Sequence, residues 1–296
     1  MTMILCIDIG GTFIKYAGYD SEGKQLTKEE KLPTGVTEHE NHILSGVKEI
    51  VASKQSEFNL TGIAISSAGI IDSTTGEVVY SGYTIPHYTG AQIKAEIEDQ
   101  FQLPCTVIND VNAALLGEYW LGAGVGYDTL VCLTIGTGVG GAVMIDGELV
   151  EGKNSTAGEL GYMLVNGEDR LQDIASTRSL VERVRNRTND ESISSYDIIR
   201  RAKAGDHLYV EEIDKMVSAI GQAIININYL ISPECIILGG GIMDEFDFFS
   251  EKLNFYISKH TIDPLFNSSQ LVAAKNGNNA GMLGALYHFN TQSSAK

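Results

Sequence analysis

A glycine-rich turn near the start of the chain carries residue types that can hold phosphate groups. The turn is Asp8-Ile9-Gly10-Gly11-Thr12, and it follows an apolar stretch. Glycine lets backbone N–H groups approach a phosphate without a Cβ atom in the way, and a carboxylate such as Asp8 can hold Mg²⁺ through water. Lys15 either neutralises phosphate charge or is a solvated strand residue. A β-hairpin with a Gly-Gly turn and no ligand explains these residues equally well.

A second turn, Gly136-Thr137-Gly138-Val139-Gly140-Gly141, fits the G-x-G-x-x-G pattern of dinucleotide-binding folds. That pattern requires a helix directly afterwards, whereas residues 142–147 are apolar and end in Asp146-Gly147, which predicts a hairpin. A Rossmann fold is therefore excluded. A phosphate-binding hairpin remains, with the Thr137 hydroxyl and backbone amides on the phosphates. The sequence contains no G-x-x-x-x-G-K-[ST], which also excludes a Walker-type NTPase.

A third glycine cluster, Gly239-Gly240-Gly241, follows a predicted strand and opens a predicted helix. At such a place an adenosine or a phosphate can approach the backbone closely. Three adjacent glycines carry an entropic cost on folding that a plain loop does not require. A strand-to-helix turn without a ligand is the alternative.

Asn109-Asp110 stands between a predicted strand and a predicted helix. A carboxylate there can accept the proton of an attacking hydroxyl group, although capping a helix is the commoner use of such an aspartate. Together with the glycine turns, Asp110 completes the set that phosphoryl transfer needs, namely positioning, charge neutralisation and a base. The set therefore favours a kinase.

Alternating strands and helices must position these residues, which predicts an α/β fold. Strands are predicted at 4–9, 13–19, 62–66, 105–108 and 235–238, and helices at 37–57, 91–101, from 111, at 178–187, 196–203, 209–230 and 279–289. An offset of 126 residues places Cys6 on Cys132, Ile9 on Ile135 and Gly10 on Gly136. We interpret this as a weak internal repeat of two α/β halves, with chance similarity of short apolar strands as the alternative.

Composition limits the functions that are possible. The 296 residues, 43% of them hydrophobic, suffice for one large core or two ordinary ones. With 38 acidic and 21 basic residues the net charge is −17, which disfavours nucleic acid and anionic membranes as partners. No apolar run approaches the roughly 20 residues that span a bilayer, and the start is not that of a signal peptide. We expect a soluble, cytoplasmic protein.

Six motifs, taken in order, resemble those of the ROK family of sugar kinases and repressors. They are Asp8 to Thr12, Ser67 to Asp72, Asn109 to Ala113, Ile135 to Gly141, Gly158 to Tyr162 and Leu238 to Gly241. The resemblance implies an actin-like (ribonuclease H-like) ATPase fold, with two lobes and a cleft between them. We expect a small lobe at 1–117, joined by a C-terminal helix at about 279–290, and a large lobe at 118–278. The resemblance also implies that the protein forms a homodimer.

The resemblance further implies roles for individual residues. Asp110 would be the catalytic base, and Gly69, Asn109 and Glu159 would bind sugar hydroxyls. ATP would be the co-substrate, with Mg²⁺ held by Asp8 through water. The predicted ATP-binding residues are Asp8, Gly10, Gly11, Thr12, Lys15, Thr134, Gly136, Thr137, Gly138, Gly239, Gly240 and Gly241.

Two positions depart from the family's pattern. Many members bind a structural zinc through cysteines and a histidine just after the Gly-Glu motif, but position 162 is Tyr and 163–173 contain neither residue type. No tetrahedral site can be assembled there, so we expect no zinc. Gln172 stands where the family commonly has a glutamate facing the anomeric side of the sugar. We expect Tyr162 and Gln172 to form a neutral wall of the sugar site. Such a wall would alter the sugar preference relative to that of the zinc-binding members.

This pattern most resembles the β-glucoside kinase branch. We therefore expect phosphorylation of the 6-hydroxyl of a glucosyl unit, in glucose or in a β-glucoside such as cellobiose. A kinase for N-acetylmannosamine or fructose is the alternative within the family. A non-catalytic sugar-sensing protein is the alternative of another class, but family repressors carry an added N-terminal helix-turn-helix, and this chain begins with its first strand.

Overall fold

The computed structural model describes residues 2–82 and 85–294. The first elements are β1 (Met3–Ile9), β2 (Phe13–Tyr19), β3 (Glu30–Pro33), α1 (Ile43–Glu57), β4 (Leu60–Ser67), β5 (Ile70–Asp72), β6 (Glu77–Tyr80), α2 (Ile93–Phe101), β7 (Cys105–Asn109) and α3 (Asp110–Leu121). The others are β8 (Leu130–Ile135), β9 (Val139–Ile145), β10 (Glu148–Leu149), β11 (Leu164–Val165), β12 (Asp169–Arg170), α4 (Leu171–Ala175), α5 (Thr177–Thr188), α6 (Ser195–Lys203), α7 (His207–Leu230), β13 (Cys235–Gly239), α8 (Phe246–His260), β14 (Gln270–Ala273) and α9 (Ala280–Ser294).

One compact unit contains the described residues up to Val125, the segment Glu151–Ala157, and the described residues from Asn278. Its five-stranded sheet has the order β3-β2-β1-β4-β7, in which β1, β4 and β7 are parallel. Ile63 and Ile65 of β4 point to a core shared with α1 and α2. Gly62 and Ser66, on either side of them, face α9 on the other side of the sheet, as the period of two along a strand requires.

The last helix, α9, packs on α3 at backbone contact. A Cβ atom at Gly284 would collide with the carbonyl of Ala113, and one at Gly117 with the carbonyl of Ala280. Glycine is therefore required at both positions, since any side chain would separate the two helices. The C-terminal helix thus belongs to the first unit, and it runs further than the predicted 279–289.

The second compact unit contains Gly126–Val150 and Gly158–Gly277. Its sheet has the order β10-β9-β8-β13-β14, with β8, β13 and β14 parallel. The long helix α7 lies at the centre of its core and is surrounded by α4, α5, α6 and α8. Glu212 of α7 is buried and pairs with the side chains of Arg183, Arg187 and Lys215.

The offset of 126 residues relates strands of the two units. Ile9 ends β1 and Ile135 ends β8, while Phe13 begins β2 and Val139 begins β9. Each pair forms an antiparallel hairpin, so the hairpin predicted after the second glycine turn is confirmed.

The first helix begins later than its predicted position near residue 37. The backbone N–H of Thr37 donates to Glu40, and its hydroxyl accepts from the N–H groups of His39 and Glu40, which closes a turn. Such local bonds compete with helix formation, and α1 therefore begins at Ile43. Within the part of the chain that the structure describes, no helix is both long and apolar enough to cross a membrane.

Candidate active site

In the first unit the parallel strands bring predicted site residues to one edge of the sheet. The register pairs Ile9 of β1 with Ser67 of β4, and Ser67 with Asn109 of β7. Because parallel strands share their carboxyl edge, the turns after β1, β4 and β7 lie side by side there. This edge is where ligands bind in open α/β sheets.

Asp8 is held in place by two neighbours. The Ser66 hydroxyl donates to its Oδ1 at 2.9 Å, and a Cβ atom at Gly281 would lie 2.9 Å from the same oxygen. Burial raises the pKa of Asp8, while the Ser66 hydrogen bond and the charge of Lys15 oppose the increase. Gly281 belongs to the first turn of α9, where the helix dipole favours a nearby negative charge.

The turn after β1 is anchored through its carbonyl groups. The Thr34 hydroxyl donates to Gly11 O at 3.1 Å, and the Thr34 N–H donates to Thr12 O at 3.0 Å. The N–H of Gly10 donates to Phe13 O at 3.1 Å. Backbone N–H groups are what a phosphate needs from such a turn, and a Cβ at Gly11 would meet open space.

Lys15 lies opposite Asp8 in the pairing of β1 with β2. Its ammonium group donates to Asn278 Oδ1 at 3.4 Å, just before α9. The only cation among the predicted ATP-binding residues is thus close to the turn that we expect to hold phosphate.

Asn109, not Asp110, caps helix α3. Its Oδ1 accepts from the N–H groups of Val111 and Asn112 at 2.9 and 3.0 Å. Its Nδ2 donates to Gly69 O at 2.8 Å and to Asp110 Oδ1 at 3.0 Å. Asn109 therefore performs the capping that an aspartate at this place would commonly perform. Asp110 lies in the first turn of α3, where the helix dipole stabilises a carboxylate.

Gly69 and the buried residues around it complete this part of the site. Gly69 has φ +99°, and a Cβ atom there would lie 2.9 Å from Tyr80 O, so a side chain is excluded. Two residues before it, the Ser67 hydroxyl lies 2.7 Å from the Tyr88 hydroxyl. Ser67 opens one of the six motifs, but no local pattern in the sequence marks Ser66 or Tyr88 as neighbours of the site.

In the second unit, the turn after β8 rests on the start of α5. The N–H of Gly136 donates to Gly138 O at 2.9 Å, and the N–H of Thr177 donates to Gly136 O at 2.8 Å. The side chain of Gln172 lies beside this turn, since its Oε1 would be 3.5 Å from a Cβ atom at Gly138. Thr137 is exposed at the tip. The predicted phosphate turn and Gln172 are thus neighbours.

The third glycine cluster lies at the same edge of this sheet. Gly239, the last residue of β13, pairs with Thr134 of β8. Gly240 has φ +93°, and a Cβ atom there would collide with the carbonyl of Ile135. A short 3₁₀ helix, Gly241–Glu245, follows and leads into α8. The structure therefore brings together the predicted ATP-binding residues of this unit.

A short 3₁₀ helix, Leu160–Tyr162, begins directly after Glu159, ends at Tyr162 and packs on the start of β9. A Cβ atom at Gly161 would collide with the carbonyl of Val139, so the helix lies against the β8–β9 hairpin at backbone distance. Glu159 is partly buried, and burial raises the pKa of its carboxyl group. Tyr162 is 48% exposed, with the Arg170 guanidinium 5.8 Å from its ring centroid.

No group of three or more His, Cys, Asp or Glu side chains within residues 2–82 and 85–294 could hold a metal ion. The absence of zinc stays a prediction that elemental analysis can test. Mg²⁺ needs no such cage, because it is usually held by one or two carboxylates, several waters and substrate phosphates. The half-buried carboxylate of Asp8, beside a glycine turn and Lys15, fits that requirement.

Comparisons with known proteins agree with this geometry. The ROK family model matches residues 4–292. The chain is 32% identical to a β-glucoside kinase of Listeria monocytogenes, covering 97% of each chain. A candidate N-acetylmannosamine kinase from Listeria monocytogenes superposes with a TM-score of 0.87 and 31% identity over 98% of this chain and 99% of that one. A Streptomyces griseus ROK glucokinase in complex with glucose and AMPPNP superposes with a TM-score of 0.79 and 27% identity, over 96% of this chain and 98% of that one. The expected actin-like ATPase fold is confirmed.

Proposed function

From the premise that this chain belongs to the ROK family and is a sugar kinase, a phosphotransferase acting on a hydroxyl group, we propose its reaction. It transfers the γ-phosphoryl group of ATP to the 6-hydroxyl of a glucosyl unit, in free glucose or in a β-glucoside such as cellobiose.

The observation that carries this proposal is the arrangement of Asp110. Asn109 caps α3, so the Asp110 carboxylate is not needed as the cap, and the Asn109 amide and the Val111 N–H fix its Oδ1. A carboxylate held in this way can accept the proton of an attacking hydroxyl group. Asp110 is the base in the reaction that we propose.

The glycine turns position the phosphates of ATP. In the second unit, the amides around Gly136 and Gly138, the Thr137 hydroxyl and the Gly239–Gly241 cluster bind the nucleotide. Binding through the backbone suits a protein whose net charge of −17 provides no general attraction for an anion. The AMPPNP in the Streptomyces griseus glucokinase supports ATP as the phosphoryl donor.

Asp8 would hold Mg²⁺ through water, and Lys15 would add positive charge beside it. The metal ion, when bound, neutralises charge on the phosphates. Ser66 and Gly281 keep the Asp8 carboxylate in one position, so the group that meets the metal shell is preorganised.

Glu159, Tyr162 and Gln172 distinguish among sugars. A tyrosine and a neutral amide in place of a zinc-bound, charged wall favour a substrate that carries a substituent at its anomeric carbon. The relationship to a β-glucoside kinase supports this choice. N-acetylmannosamine is the second candidate, because a structural neighbour is a candidate kinase for that sugar.

The test is sugar-dependent ADP release by the purified protein with Mg·ATP, with glucose, cellobiose, a synthetic β-glucoside, N-acetylmannosamine, fructose and allose. We expect the highest kcat/KM with cellobiose or glucose. Highest activity on N-acetylmannosamine or fructose would refute the substrate assignment but keep the kinase. Sugar binding without ADP release would favour a sugar sensor.

A further inference from the structure

A pair of buried hydroxyl groups lies below the Asn109–Asp110 segment. Ser67 is fully buried at the end of β4, and Tyr88 is 1% exposed in the core of the first unit. Their oxygen atoms are 2.7 Å apart. Ser67 also donates to Ala68 O at 3.0 Å.

The Ser67 oxygen is within hydrogen-bond distance of both the Tyr88 hydroxyl and Ala68 O, so the serine links the two groups. The tyrosine fixes the serine, and the serine fixes the carbonyl that directly precedes Gly69.

From Gly69 the connection continues to the predicted base. Gly69 O accepts from Asn109 Nδ2, and the same amide group donates to Asp110 Oδ1. Ser67 is also the direct strand partner of Asn109 in the sheet. Burial raises the pKa of Tyr88, the bond with Ser67 lowers it, and the charge of Asp110 raises it further, so the phenol is within electrostatic reach of that carboxylate.

A second buried tyrosine of the same unit shows that such a bond is not required for burial. Tyr19 is 2% exposed, and its hydroxyl has no hydrogen-bond partner in the described part of the chain. Tyr19 is thus a buried tyrosine of the same unit whose hydroxyl is not part of the connection to Asn109, which makes it a matched control for Tyr88.

We propose that Tyr88 and Ser67 are positioning residues for phosphoryl transfer. They hold the Ala68–Gly69 turn where its carbonyl orients Asn109, and Asn109 in turn orients the carboxylate of Asp110. This inference rests on the proposed function for its kinetic consequence, but the orientation of Asn109 can be measured separately.

The kinetic test compares Tyr88→Phe with Tyr19→Phe as the matched control. We expect Y88F to lower kcat about tenfold with KM for ATP within twofold of wild type, since only the base is misplaced. Y19F keeps both constants within twofold. A kcat for Y88F within twofold of wild type would overturn the proposal.

Ser67→Ala provides a second variant should Y88F fold poorly. Both changes interrupt the same connection, so the double variant should have the kcat of the slower single variant rather than the product of both losses. Multiplied losses would show that the two residues act separately.

Amide hydrogen exchange tests the orientation of Asn109 without turnover. The N–H groups of Val111 and Asn112 donate to Asn109 Oδ1, so we expect them to exchange at least fivefold faster in Y88F but not in Y19F. Unchanged exchange in Y88F contradicts the inference. If the wild type shows no kinase activity, the proposed function fails. The exchange rates alone then decide whether Tyr88 and Ser67 orient Asn109.

Discussion

The two units of this protein have the same sheet with different chemistry at its edge. Across each sheet, a short antiparallel edge strand is followed by the second strand of the hairpin and then by three parallel strands. The second parallel strand is followed within two residues by a glycine with positive φ, Gly69 in one unit and Gly240 in the other. In the first unit, carboxylates stand beside the strand ends, at Asp8 and Asp110. In the second, glycines and Thr137 follow β8, glycines follow β13, and Ala274-Lys275-Asn276 follows β14, without a carboxylate.

The first turns also differ in length. Ile9 pairs with Ile14 across four turn residues, whereas Ile135 pairs with Val139 across three. Ile9 and Ile135 both end their strands, but the longer turn of the first unit shifts the cross-strand partner of Ile9 by one position. Two sheets of the same arrangement can therefore carry ionisable groups in one unit and backbone donors in the other, and the site chemistry depends on a few residues.

The comparison is tested most severely at Asp110, which has no counterpart carboxylate in the second unit. We expect Asp110→Asn to lower kcat by at least 1,000-fold, because the amide cannot accept the proton. Sugar-dependent ADP release measures the loss. The control is an unchanged thermal midpoint, and turnover within tenfold of wild type would remove Asp110 as the base.

The glycine directly after the second parallel strand of the second unit, Gly240, is the next test. We expect Gly240→Ala to lower the free energy of unfolding by about 2–4 kcal/mol, because φ is +93° and the new Cβ atom collides with the Ile135 carbonyl. Urea unfolding measures this change. Gly241→Ala is the matched control, since a Cβ atom there meets nothing within 4 Å. Equal losses in both variants would contradict the steric argument.

Acid should affect the two units in different pH windows. Burial lowers the pKa of His288 in the first unit to about 4, below its usual 6.5, so the unfolded chain binds more protons between these values. Its contribution to stability is complete above pH 6.5 and is lost as the pH falls towards 4. In the second unit, burial opposes ionisation of Glu212, but hydrogen bonds from Lys215, Arg183 and Arg187 lower its pKa to about 2. Its contribution is lost between pH 4.5 and 2.

His288→Gln should therefore flatten the change in unfolding free energy between pH 6.5 and 4, and Glu212→Gln should not. At pH 7 we expect E212Q to cost about 3 kcal/mol, because three cations lose a buried partner. Glu211→Gln, at a side chain 42% exposed, is the control and should cost less than 1 kcal/mol. Urea unfolding at a series of pH values measures the free energy of unfolding of each variant. Identical pH profiles for H288Q and E212Q would contradict the different pH windows of His288 and Glu212.

The smallest effect is expected at Thr137. Loss of one hydroxyl contact to phosphate should raise KM for ATP about fivefold in Thr137→Ala, which corresponds to about 1 kcal/mol. KM for the sugar serves as the internal control and should stay within twofold. An unchanged KM for ATP would show that the turn binds phosphate through its amides alone.

Local signals in the sequence predicted much of this architecture. The apolar run after Gly141 excluded a helix there, and the offset of 126 related strands that the structure pairs in the same way. Contacts between distant segments were out of reach. The bond between Ser67 and Tyr88, and the placement of Glu151–Ala157 with the first unit, depend on packing that no short pattern encodes.

Asn109 shows how a local ambiguity was resolved. Either Asn109 or Asp110 could cap a helix by its residue type, and only the backbone angles decide between them. Asn109 has φ −59° and ψ 147°, outside the helical region, and therefore is the cap.

The contact of Gly281 with Asp8 has a consequence for biosynthesis. Gly281 is translated 273 residues after Asp8 (281 − 8). The glycine turn after β1 is therefore made long before the helix that packs against Asp8. Until α9 docks on α3, the face of α3 around Ala113 and Gly117 stays open to water, and chaperones that bind apolar surfaces can recognise the unfinished kinase there.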